Sequence, residues 1–101
     1  MVGVFVTFRY VGDFDVAKIR KIAETARSRF EGMPGLRSKA FTVNPEAREA
    51  VNVYLWESED AARAFFDDEL VQRVTALYGV RPSVSFVEIA ALVDNGGAKK
   101  G

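Results

Sequence analysis

The sequence predicts an α+β sandwich, one antiparallel sheet packed against helices. Three observations predict it. Every strong turn signal falls between a strand-type and a helix-type run, in the order β-α-β-β-α-β. The strand-type runs alternate with period 2 and the helix-type runs repeat near 3.6. The length, 101 residues, fits one domain with a modest core.

Val2, Val4, Val6, Phe8 and Tyr10 fall on one face of the first run, with Gly3, Phe5, Thr7 and Arg9 on the other. This is the first strand. Asp13 or Asp15 can cap the helix that follows. Val16, Ile19, Ala23, Ala26 and Phe30 then form its apolar stripe, with Ile22 alongside. Gly32-Met33-Pro34-Gly35 ends the helix. The second strand is expected over Leu36 to Val43, and residues 44–48 form a polar hairpin loop. The third strand runs from Ala50 to Trp56. Ser58 is the expected cap of a second helical region reaching Tyr78, with a break expected near Asp67-Asp68-Glu69. Phe65, Leu70, Val74 and Leu77 are expected to point inward, and Gly79 to stop the region. Pro82 opens a fourth strand reaching about Ala91. Residues 1–93 then make one domain, and 94–101, with nothing to bury, a flexible C-terminal tail.

Both faces of the sheet carry apolar residues. Val51, Val53 and Leu55 oppose Asn52, Tyr54 and Trp56, and Phe5 opposes the valine row. Two helices cover one face only. The expectation is a homodimer packed through the second sheet face.

Composition excludes several function classes. There is no His and no Cys, so Ser-His-Asp and Cys-His nucleophile systems are impossible. No disulfide can form, which suits a cytoplasmic location. Net charge is zero, without the basic excess of a nucleic-acid-binding protein. No apolar run is long enough for a membrane span, and the N-terminus lacks the basic region of a signal peptide. Asp67, Asp68 and Glu69 are consecutive, so on a helix they splay apart, and no metal site is expected. No phosphate-binding glycine loop occurs.

The residues left to carry chemistry lie on the strands. Asn52, Tyr54 and Trp56 share one strand face, and together they could orient a phenolate and stabilise its charge. The alternative is a packed core pair of aromatics, although a mid-strand Asn then needs its own partners. Arg37, Lys39 and Phe41 share a face of the second strand. Lys39 could hold a carboxylate or phenolate, and the plainer reading is a charged edge strand. Arg9, if buried, needs an anion, and Glu88 is the expected partner. Tyr10, Tyr54 and Tyr78 are candidate proton donors or simply packed phenols.

Gly35-Leu36, Lys39, Phe41-Thr42, Tyr54-Leu55-Trp56 running into an acid-capped Ala-rich helix, and Gly79-Val80 before the last strand together resemble the YdhR-like monooxygenase family. The pattern is also similar to the wider antibiotic-biosynthesis-monooxygenase group. The resemblance spans roughly Val2 to Leu92 and lies in the order and spacing of short motifs. It implies a ferredoxin-like fold, a homodimeric α+β barrel and a pocket between sheet and helices. Cofactor-free oxygenases of the group pair an Asn with a Trp four residues later on the third strand, and Asn52 and Trp56 match. They also carry a Tyr six residues after the Trp, where this chain has Ala62. Haem-degrading relatives bind iron through a His, which is absent here.

Two functions are expected to compete. In the first, the chain is a monooxygenase needing no cofactor, acting on a small phenolic or quinol substrate. Asn52, Tyr54 and Trp56 would be catalytic. Lys39, Phe41, Phe65, Phe86 and Tyr78 would bind substrate, with Phe66 lining the apolar part. In the second, the same scaffold is a non-catalytic module that binds a small apolar molecule or packs its pocket shut with phenylalanines.

Overall fold

The computed structural model describes residues 1–96. Its elements follow in the expected order: β1 (Val2–Arg9), α1 (Val16–Ala26), β2 (Leu36–Asn44), β3 (Glu49–Trp56), α2 (Glu59–Phe65), α3 (Asp68–Tyr78) and β4 (Ser83–Glu88). The sheet order is β2-β3-β1-β4, with every neighbouring pair antiparallel. This is the ferredoxin-like arrangement. Of the expected tail, positions 97–101 lie outside the described residues.

Local chemistry sets the boundaries. The Asp15 carboxylate accepts from the Lys18 N–H at 3.1 Å and starts α1. A 3₁₀ turn, Arg27–Phe30, continues α1. Gly35 then turns the chain into β2 at φ +83°, a backbone region that a side chain resists. Ser58 caps α2, accepting from the Ala61 N–H at 3.1 Å. The expected break falls at Phe66, whose ψ of 64° is not helical. Asp67 caps α3, accepting from the Leu70 N–H at 2.9 Å, and Gly79 ends it in the left-handed region. The acidic run is thus a helix start.

Register fixes which side chains meet. Val2, Val4, Val6 and Phe8 of β1 stand beside Trp56, Tyr54, Asn52 and Ala50 of β3. All eight are buried, forming the core beneath the helices. The opposite face carries Phe5, Val51, Val53, Leu55 and Val87. Phe5 remains 39% exposed and Val87 37% exposed.

Three expectations are corrected. Arg9 is exposed and pairs with Glu49 at 3.1 Å, not with Glu88. The antiparallel register sets Arg9 opposite Glu49 and leaves Glu88 beside Val2, at the other end of β1. Leu77 is 48% exposed, because it faces the rim of a cavity instead of the core. β4 stops at Glu88, short of Ala91. No helix among the described residues is long and apolar enough to cross a membrane.

Candidate functional site

A cavity of about 320 Å³ opens between β2–β3 and the helices. Its walls come from Ile22 of α1, Arg29 and Phe30 of the 3₁₀ turn, Lys39 and Phe41 of β2, and Asn52 and Tyr54 of β3. Phe65 of α2 and Leu70, Arg73, Val74, Leu77 and Tyr78 of α3 complete it. That size suits a small organic ligand.

Lys39 reaches the cavity through a β-bulge. Leu36 pairs with Trp56 and Ser38 with Leu55, so Arg37 is the extra residue. Leu36 and Lys39 therefore both turn towards the helices, which strict alternation would forbid. Arg37 pairs with Glu57 at 3.5 Å, and it lines a shallow cleft with Lys39 and Phe41. β2 is an edge strand, as the plainer reading holds, but the Lys39 side chain is half-buried instead of solvated. Its Nζ lies 3.4 Å from the centre of the Phe30 ring, 4.1 Å from Phe41 and 4.4 Å from Tyr54. Burial pulls the ammonium down to about 7, and Arg29 adds to the pull. The ring faces act the other way, favouring the charged form.

Asn52 lies opposite Phe41, deep in the cavity. Its amide donates to the Tyr78 hydroxyl oxygen at 3.3 Å. Tyr78 is held from two more sides. Its ring stacks on Phe8 with centroids 3.8 Å apart, and its carbonyl accepts from the Tyr10 hydroxyl at 2.8 Å. Burial raises the Tyr78 phenol, against the Asn52 hydrogen bond that lowers it. Burial raises Tyr54 further, with Tyr78 contributing. Both phenols therefore remain protonated near neutrality. The Tyr78 proton has no acceptor among the described residues, so it is free to donate to a ligand.

Six of the eight expected site residues meet in this cavity: Asn52, Tyr54, Lys39, Phe41, Phe65 and Tyr78. Trp56 and Phe86 do not. Trp56 is 2% exposed, with its indole packed against Phe65 at 5.2 Å and Phe66 at 6.1 Å. It stacks behind Tyr54, and its Nε1 has no hydrogen-bond partner among the described residues. Phe86 lies beyond Phe66, beneath the Arg63 guanidinium. It lines a separate cleft with Met1 and Glu59. Trp56 is covered by Phe65 and Phe66 of the broken helical region, and Phe86 lies on β4, at the sheet edge opposite β2. Ala62, where the resemblance wants a tyrosine, is fully buried in α2.

Sequence reasoning missed Arg29 and Arg73. For Arg73 a signal existed: it sits in the i, i+3, i+4, i+7 stripe of Leu70, Val74 and Leu77, a cation on an apolar face. Arg29 lies in the 3₁₀ turn, whose phase the sequence does not announce. Among the described residues no three carboxylates gather as metal ligands.

The family model described as "Putative mono-oxygenase ydhR" matches residues 4–87. The chain belongs to this family. Solved structures share the fold. A monooxygenase from the Streptomyces coelicolor gene ActVA-Orf6, in complex with nanaomycin D, is 25% identical. The match covers 93% of this chain and 92% of that one, with a TM-score of 0.66. SnoaB, a cofactor-independent oxygenase from Streptomyces nogalater, is 17% identical over 91% of this chain and 95% of its own, TM-score 0.65. MhuD, solved with two manganese protoporphyrin IX groups per active site, is 19% identical over 93% and 98%, TM-score 0.61. The last two likenesses carry the fold alone. No match is found among curated proteins. Family membership therefore rests on the ydhR match, and the fold on the solved structures.

Proposed function

We propose that this ydhR-family chain is a cofactor-independent monooxygenase of a small phenolic or quinol substrate, working as a homodimer. One observation carries the reading. A cavity walled by aromatic rings ends in the Asn52–Tyr78 hydrogen bond, with the Lys39 amine on the same wall. In this reading Lys39, in its neutral form, takes the phenol proton. Asn52 and Tyr78 hold the oxygen as charge develops on it. The ring, now electron-rich, reduces dioxygen. A hydroxyarene bearing a free ring C–H then gives a quinone: one oxygen atom forms the new C=O and the other leaves as water. The substrate supplies all the electrons. Tyr78 also provides the phenol that Ala62 does not, from α3 instead of α2. Trp56 supports Tyr54 from behind and does not touch substrate.

The dimer rests on the open sheet face, where Phe5 and Val87 are exposed and Val53 is half-buried beside Phe5. Closure around Trp56 favours the second reading, a binding module without catalysis, because the Asn52 and Trp56 pair that the resemblance implies as catalytic is not presented together to the cavity. The test is oxygen uptake with 1-naphthol in chelator-treated, flavin-free buffer. Uptake that Asn52→Ala abolishes while the fold persists supports the enzyme. Uptake equal in wild type and variant, or binding with no uptake, overturns it.

A further inference from the structure

The basic side chains of this cavity have no carboxylate partner among the described residues. Lys39, Arg29 and Arg73 come from β2, the 3₁₀ turn and α3, and no Asp or Glu shares the wall with them. Elsewhere four arginines have carboxylate partners: Arg9 with Glu49, Arg27 with Glu24, Arg37 with Glu57 and Arg63 with Glu59. None of the three cavity cations has such a pair among the described residues. The chain is neutral overall, so this is segregation of charge, not excess. The groove on the Arg29 side repeats the pattern, lined by Lys18, Lys21 and Arg29 with no acid, whereas the cleft on the Lys39 side includes Glu31. Aromatic faces surround the Lys39 ammonium, but a ring quadrupole does not replace an anion. Low-dielectric walls of one charge sign concentrate field at the opening and draw in the opposite charge.

We propose that the ligand of this cavity is an aromatic carboxylate, with its ring against Phe30, Tyr54 and Phe65 and its carboxylate facing Arg29 and Arg73. Guanidinium groups suit a carboxylate because their donors match its two oxygens. The two arginines are exposed and lie at the rim, where an anion keeps part of its hydration. The apolar lining beyond them takes the ring. This deepens the reading above by resting on the same cavity, yet it needs no turnover.

The experiment is titration under nitrogen, where no oxygenation occurs, using 1-hydroxy-2-naphthoate, its methyl ester and 1-naphthol. The acid is expected to bind about tenfold or more tightly than the ester. That margin should shrink as salt rises from about 50 mM to about 500 mM. Arg29→Gln with Arg73→Gln should weaken the acid about tenfold and leave the ester unchanged. Equal binding of acid and ester overturns the carboxylate while leaving the aromatic cavity intact, as does a double variant that weakens both alike. Failure of all three compounds to bind overturns the cavity reading and the carboxylate with it.

Discussion

Asn52 on β3 donates its side-chain amide to the hydroxyl of Tyr78, the last residue of α3, across 3.3 Å. Of the side-chain pairs joined by hydrogen bonds among the described residues, this one is buried; the others lie at the surface. It ties the far end of α3 to the sheet interior and forms the polar end of the cavity.

Tyr78→Phe keeps the ring stack on Phe8 and removes the acceptor. The Asn52 amide then lies buried without its partner, which costs about 1–3 kcal/mol. Urea unfolding should show that loss. Adding Asn52→Leu should recover part of it, and a double-mutant cycle should give a coupling of roughly 1 kcal/mol. Strict additivity of the two changes would mean that the bond contributes nothing.

Lys39 titrates lower in the fold than in the unfolded chain, at about 7 against an ordinary value of 10.5. Between those values the unfolded state binds more protons, so stability from this group rises with pH across that window. Below about 7 the ammonium is charged and desolvated in the fold, and its cost is fully present. Lys39→Met should therefore raise the melting temperature most near about pH 6 and least near about pH 10. A gain equal at both ends would show that the amine titrates normally.

The open sheet face should close between two copies. Val53 sits beside Phe5 at its centre. Val53→Asp should convert a dimer to a folded monomer by light scattering, since an unpaired carboxylate is strongly disfavoured in an apolar interface. Wild type running as a monomer at micromolar concentration would remove the dimer.

Two glycines separate backbone strain from crowding. Gly79→Ala meets only its φ of +86°, with nothing within 4 Å, and should cost about 1 kcal/mol. Gly35→Ala has φ +83° and also brings a methyl to 3.0 Å of the Ala61 Cβ. It should cost about 1–3 kcal/mol more, the range for overpacking. Thermal scans of the two variants would show equal losses if α2 can shift freely.

What the sequence made legible was local. Asp15, Ser58 and Gly79 each act within a turn, so their caps and stops could be read from neighbours. The valine row of β1 needed only alternation. What escaped depended on register and on side-chain depth. The bulge at Arg37 breaks alternation and turns Lys39 inward, and no residue type there announces it. Arg9 finds Glu49 because of pairing between β1 and β3, which one strand cannot disclose. Trp56 and Phe86 share a sheet face with Asn52, as expected. Trp56 is cut off from the cavity by Phe65 and Phe66, whose placement depends on where the second helical region breaks, and Phe86 by the strand order, which sets β4 at the far edge. Tyr78 was nameable as a site residue, but its bond to Asn52 spans 26 positions and depends on the phase of α3.

The bulge on β2 has one more consequence. β2 is an edge strand, so its outer side carries no ladder that a changed residue must respect. Lys39 and Phe41 come from this strand and face the cavity, and Arg29 and Arg73 stand on its rim. The buried rows that hold the sheet to its helices belong to β1 and β3. Apart from Asn52, Tyr54 and Tyr78, ligand preference and foldedness are thus written on different parts of the chain. Descendants of this sequence can exchange rim and edge residues for new chemistry with little penalty to the scaffold, a division of labour that favours rapid divergence of substrate.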